Sequence, residues 1–230
     1  MPKKNPNKAT FAAMLAELKA GSVKTVEIEV KQERRYYLIV TEGARTEPIY
    51  FEFLAKQLPK QLVDTIHVSG QGANTVSVVR AAIRLRAERE KNKQLPPYDE
   101  IWAVFDKDDF PANRYHQAIT MAGANGIHSG HSNQSFELWY VLHFQYLDAA
   151  IHRHDYIDIL SKQLGFKYEK NAEAVVKVLF DKPTMRRAIA WAKSLEALHA
   201  GKAHSDSCPV TMVYKLVENL LDYMEGKEAE

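Results

Sequence analysis

The chain has 230 residues, 46% hydrophobic and 26% charged, a balance that fits one α/β core with a helical extension and does not require two independent domains. Its one cysteine, Cys208, excludes an internal disulfide framework and any multi-cysteine zinc or iron-sulfur site, and a net charge of +2 is too small to identify a nucleic-acid partner by itself. No apolar run reaches the roughly 18 residues that span a bilayer, and the first residues lack the compact apolar region of a signal peptide, so a soluble cytoplasmic protein with no membrane partner is expected.

Residues 1–30 read as an N-terminal segment. The core opens with Arg35 to Thr41 (RYYLIVT), an apolar, β-branched run typical of a strand buried on both faces. Thr46 is placed to cap a following helix, with Pro48 in its first turn and Tyr50, Phe53, Leu54 and Leu58 on one side. A second strand is expected over Val63 to Ser69. The turn GQGAN then leads into a helix from Asn74 to about Gln94, striped by Val76, Val79 and Ile83. The third strand, Glu100 to Phe105, runs into Asp106, Lys107, Asp108 and Asp109. A helix over Ala112 to Ala122 and a short strand at Ile127 to Ser129 follow. Strand and helix alternate, which implies a parallel sheet. From Ser135 nearly everything reads as helix, broken near Leu147, Gly165, Asp181 to Pro183 and Gly201 to Pro209. A soft boundary near Tyr146 divides the α/β core, 31–146, from the helical extension, 147–230.

Ligands of open parallel sheets bind beyond the carboxyl ends of the strands, where Glu42 and Asp106 both fall. Asp106 and Asp108 are two residues apart, so in extended backbone their carboxylates project to one side and can share a hard cation such as magnesium. The bland alternative is a solvated acidic turn, with Glu42 an ordinary loop acid.

The segments VTEGARTEPIYFEFL, WAVFDKDDF and SNQSFELWYVLHF, in that order, resemble the RloB-like family over about Arg35 to Leu221. That family resembles a branch of the TOPRIM fold, the metal-binding module of topoisomerases, primases and the overcoming-lysogenization-defect nucleases. In those proteins a glutamate follows the first strand and an Asp-x-Asp follows a later one. The resemblance implies Glu42 as general acid or base and Asp106 and Asp108 as ligands of Mg2+ or Mn2+. It further implies a nuclease acting on DNA or RNA, working in phage defence beside a separately encoded ATPase. No Walker motif occurs in the chain itself, which fits that division of labour. The chain departs from the pattern in two places. Asp109-Phe110 follows Asp108 where many TOPRIM proteins carry a glycine a little later, and Asn133-Gln134-Ser135-Phe136 stands where RloB-like proteins usually read NPCF.

Secondary candidates are Glu137, an acid in an apolar helix that needs a partner or a metal; Glu47, either a metal ligand or a first-turn acid favoured by the helix dipole; Asp109, a further metal ligand; and Lys107, either a phosphate contact or an exposed strand-end lysine. Arg80, Arg84 and Lys91 can share a helix face that binds nucleic-acid phosphates, although Glu88 and Glu90 among them also suit a solvated surface. Arg186, Arg187, Lys193, Lys202 and His204 form a second basic stretch that could hold substrate or a partner. The histidines match no common zinc pattern, and Cys208 has no nucleophile context. Two other functions stay open: a binding module for nucleic acid or the ATPase with a regulatory metal site, and a phosphatase using Asp106 as covalent nucleophile.

Overall fold

A computed structural model describes residues 34–57, 66–70, 74–109, 111–170 and 172–225. Among these residues five strands form one sheet in the order β2-β1-β3-β4-β5. They are β1 (Tyr37–Thr41), β2 (Ile66–Gly70), β3 (Glu100–Asp106), β4 (His128–Asn133) and β5 (Val210–Thr211). β1 pairs in parallel with both β2 and β3, and β3 with β4; β5 joins β4 antiparallel. The helices are α1 (Thr46–Ala55), α2 (Thr75–Lys91), α3 (Ala112–Ala124), α4 (Glu137–Leu142), α5 (Arg153–Leu164), α6 (Glu173–Phe180), α7 (Met185–Leu198) and α8 (Val213–Met224). This is an α/β fold with a mostly parallel sheet, flanking helices and a helical C-terminal part.

β1 has no exposed residue because it has a packed layer on each side. Leu38 and Val40 join Ala103 and Phe105 of β3 under α2 and α3, in a cluster with Val78, Val79, Ala82, Tyr115 and Ala118. Tyr37 and Ile39 join Trp102 and Val104 on the other face, against Tyr50, Phe51 and Leu54 of α1 and Trp139 of α4. That second cluster continues into Tyr156, Leu160, Leu179, Ala192, Leu216 and Val217 of α5 to α8. The period of two in a strand sorts alternate side chains to opposite layers, so an unbroken apolar run is what a central parallel strand requires. Tyr37 also donates its hydroxyl to Asn219 Oδ1 at 2.7 Å, tying the first described strand to α8.

The helix from β1 (α1) lies on one face of the sheet, whereas the helix from β3 (α3) lies on the other. Strand order also reverses between β1 and β3, because β2 flanks β1 on its other side. The chain therefore parts at this point and leaves a crevice above the two strand ends, the usual ligand position in open α/β sheets.

Several expectations change in detail. Thr46 is the first residue of α1 and not its cap; Arg45 occupies the cap position and no side chain caps the helix. Asn74 does cap α2, its Oδ1 accepting from Ser77 N at 3.2 Å. β4 runs on to Asn133 where a short strand to Ser129 was expected, and α4 spans only Glu137–Leu142. The loop after Gly201 delivers β5, a strand too short to give a periodic signal. Of the expected second strand, 63–65 lie outside the described residues, as do Leu58 and 71–73 of GQGAN. α5 ends at Gly165, whose φ of 77° is the left-handed conformation that favours glycine. Among the described residues no helix is long and apolar enough to cross a membrane.

Candidate active site

Glu42 leaves β1 with its backbone N–H on Val104 O at 2.9 Å, which holds it beside β3. Its Oε2 accepts from Asp106 N at 3.0 Å. Asp106 in turn reaches the segment that follows β4, where its Oδ2 accepts from Phe136 N at 3.0 Å. The Asp106 to Asp108 turn is laid on the chain leaving β4, with Lys107 N on Ser132 O at 2.8 Å and Asp108 N on Gln134 O at 3.0 Å. The segment SNQSF, which contains a cis peptide at Asn133-Gln134, is thus the floor on which the DKD turn rests.

Five acidic residues, Glu42, Glu47, Asp106, Asp108 and Glu137, line one open cleft of about 210 Å³ together with 43–46, Phe136 and Lys170. Glu47 is buried in the first turn of α1, and its Oε1 accepts from Gly43 N at 3.1 Å. Glu137 is buried at the start of α4, where Tyr168 donates its hydroxyl at 3.1 Å and Lys170 Nζ stands 3.3 Å away. The partner expected for an acid in an apolar helix is therefore a tyrosine and a lysine from a later segment.

Burial and mutual repulsion dominate the electrostatics. Burial pushes the Glu42 carboxyl up to about 7, with Asp108 and Glu47 adding to the rise and the Asp106 N–H opposing it. Asp106 is raised well above the usual aspartate range, first by burial and then by Glu47, Glu137 and Asp108, against the Phe136 N–H. Glu47 is raised by burial and by Glu137, although backbone N–H groups resist. Crowding acids in this way is costly without a neutralising charge. Among the described acids of the cleft, Asp106 Oδ1 is buried and has no hydrogen-bond partner.

That orphan oxygen inside a ring of carboxylates fits a hard divalent cation. Among the described residues no three His, Cys, Asp or Glu side chains already close round a point as a finished metal cage. Magnesium does not need one, because it is commonly held by one or two carboxylates with waters and substrate oxygens completing its shell. Glu42 and Asp106 are in place to contribute, with Glu47 behind Gly43 and Glu137 across the cleft.

Asp108 differs from the expectation. Its φ of 45° is left-handed, so Asp106 and Asp108 are not on extended backbone, and the guanidinium of Arg153 takes its Oδ1. A short acidic side chain tolerates this conformation better than most. Asp109 is exposed; Arg153 Nη2 reaches its Oδ2 at 2.7 Å and His152 Nε2 approaches to 3.8 Å. It lies at the rim and not among the residues that line the cleft. Lys107 is fixed by its backbone but does not line the cleft either.

The basic face on α2 is not brought to the carboxylates as a unit. The helix begins near the carboxyl end of β2 and runs back, so its far end meets the strand starts: Arg89 lies over the rings of Tyr36 and Tyr98, just before β1 and β3. Lys91 is therefore at the opposite end of the sheet from Asp106, and Arg84 pairs with Glu88 at 3.0 Å. Arg80, exposed and nearer the helix start, is the member closest to the cleft's end of the sheet. The second basic stretch is largely engaged: Arg186 pairs with Asp222 and Glu225, Lys193 with Glu218, and Arg187 Nη2 donates to His143 O.

Arg153, Tyr168 and Lys170 were not among the sequence candidates. Nothing local distinguishes them, since they reach the acids only because α5 and the segment after it fold back over α4.

A family model described as RloB-like protein matches residues 37–220, a span that contains every cleft residue named above. Comparison with curated proteins and with solved structures returned no match. With the matched segment covering most of its length, the chain belongs to the RloB-like family.

Proposed function

We propose that this RloB-like protein is a divalent-cation-dependent nuclease of the TOPRIM type that hydrolyses phosphodiester bonds in DNA or RNA. The observation that carries the reading is Asp106 Oδ1, buried and without a partner among carboxylates at the point where strand order reverses. Asp106 and Asp108 would hold Mg2+ or Mn2+, with Glu47 and Glu137 completing the negative field and Glu42 beside them kept for the proton. When bound, the cation supplies positive charge against which the phosphate oxygens are drawn in and polarised.

The rest falls to the chain. Glu42, with its carboxyl near 7, is matched to take a proton from the attacking water at neutral pH. Water adds to phosphorus, the bond to the leaving sugar oxygen breaks, and a proton is returned to that oxygen. The Asp106 N–H fixes Glu42 Oε2, leaving Oε1 for this exchange. Family membership and the lack of a Walker motif support a place as the effector beside a separately encoded ATPase in phage defence.

One observation favours a second reading. Arg153 already engages Asp108 and Asp109, and Lys170 engages Glu137, so part of the acidic charge is balanced internally. A module that binds nucleic acid or the ATPase, with a regulatory metal site, would keep such contacts. The test is cleavage of plasmid DNA and of transfer RNA by wild type and Asp106→Ala with magnesium, manganese or chelator. Metal-dependent cleavage lost in the variant supports the nuclease and identifies its substrate class. Identical traces from the two proteins, with and without the ATPase, move the assignment to the binding module.

A further inference from the structure

A second cavity of about 210 Å³ adjoins the acidic cleft, lined by Ser135, Glu137, Arg153, His154, Ile157 and Lys170. The two share Glu137 and Lys170 but differ in charge. The first is dominated by carboxylates. Among the described residues that line the second, the acid is Glu137, held by the Tyr168 hydroxyl and the Lys170 ammonium. The cations are Arg153, now on Asp108 and Asp109, and Lys170, with the His154 ring beside them; an entering anion competes with those carboxylates for their donors.

Ser135 supplies the independent sign of a ligand. It is 1% exposed, and its Oγ is buried with no hydrogen-bond partner. A buried hydroxyl in that condition costs free energy unless a visiting group satisfies it. Arg153 points the same way. Its guanidinium bridges the separate carboxylates of Asp108 and Asp109, and a phosphate offers two oxygens to the same fork. Lys170 Nζ, on a side chain 60% exposed, can turn from Glu137 toward an anion without crossing the core.

We propose that this cavity is a subsite for a backbone phosphate of a nucleic-acid strand, the one next to the phosphodiester lying over the acidic cleft. Lys170 and Arg153 provide the charge, and Ser135 Oγ and the His154 ring provide hydrogen bonds. The proposal rests on the nuclease reading for the identity of the strand and solves a difficulty in it. A ring of carboxylates repels a polyanion, so the strand must be held by cations set beside the ring.

Binding in chelator, where no cleavage intervenes, tests this on the full chain. Fluorescence anisotropy with a short labelled single-stranded DNA and its RNA counterpart compares wild type with Lys170→Met, Arg153→Met and Ser135→Ala. Lys193→Met serves as control, because Lys193 pairs with Glu218 on the α7 and α8 surface. Lys170→Met and Arg153→Met are expected to weaken strand binding about tenfold or more. The slope of log affinity against log salt should fall by about 0.7 for each lost contact. Ser135→Ala gives a smaller loss and Lys193→Met none. If Lys170→Met fails to fold because Glu137 loses its ammonium, Lys170→Met with Glu137→Gln replaces it.

Wild-type affinity in the Lys170 and Arg153 variants, or a wild type that binds neither strand, overturns the subsite. Titration calorimetry with inorganic phosphate on the same variants completes the test, and loss of phosphate binding without loss of strand binding identifies a free-phosphate site and also overturns the proposal. Cleavage by Asp106→Ala bears on the nuclease alone, so the two ideas fail separately.

Discussion

The backbone N–H of Asp106 donates to Glu42 Oε2 at 3.0 Å, so the last residue of β3 holds the acid that follows β1. The bond brings two carboxylate residues together with a neutral dipole. It favours the charged form of Glu42, yet burial outweighs it and keeps the carboxyl near 7.

A stability difference follows. Folded Glu42 keeps its proton up to about 7, whereas an ordinary glutamate releases it near 4.5. Between those values the folded state binds more protons than the unfolded one, so this contribution is greatest in acid and is lost as pH rises. Buried His131 and His143, both lowered to about 3, pull the other way and are common to wild type and variant. Glu42→Gln should therefore gain on wild type in urea unfolding in chelator as pH is taken from about 5 to about 8. A constant difference across that range would show that Glu42 titrates normally.

Divalent cation should stabilise the protein by about 2.7 kcal/mol at a hundredfold excess over its Kd. Binding should release protons near neutral pH, because Glu42 and Asp106 are raised. Asp106→Asn should abolish both effects while melting in chelator at or above wild type, since the amide stays neutral where burial, Glu47, Glu137 and Asp108 all oppose a charge. Differential scanning fluorimetry and titration calorimetry in two buffers of different ionisation heat measure these outcomes.

Gly43 has no room for a side chain. A Cβ there would stand 2.0 Å from Glu47 Oε2 and 2.7 Å from its Cδ. Gly43→Ala should expel the Glu47 carboxylate from the cleft and break its bond to Gly43 N, lowering stability by about 1–3 kcal/mol. Cation affinity should fall with it. Unchanged magnesium binding by calorimetry would remove Glu47 from the metal's surroundings.

Trp139 is fully buried and meets Tyr50 edge-on at 6.4 Å and His143 at 5.1 Å. Trp139→Ala should cost about 3–5 kcal/mol in urea unfolding. Lys91→Ala, by contrast, changes an exposed residue at the far end of the sheet and should move stability by less than about 0.5 kcal/mol. It should also leave strand affinity unchanged, and a clear loss would restore α2 as a nucleic-acid face.

By itself the sequence determined the alternating core and the ends of its strands. Apolar runs such as YLIVT and EIWAVF are needed wherever a parallel strand is covered on both faces, and the acids Glu42 and Asp106 stand where those runs stop. It also marked Glu137 as an acid in need of a partner, because a carboxylate among Phe136, Leu138 and Trp139 cannot remain alone. Tertiary structure decided everything that depends on distant segments meeting. Asp108 left the extended geometry its spacing suggested, being held in a left-handed turn beside Arg153 of α5. Lys170 and Tyr168 reached Glu137, and Ser135 Oγ was left without a partner. Local pattern encodes period and boundaries, but a carboxylate's charge state depends on burial and on neighbours brought in by folding, and no spacing along the chain carries that information.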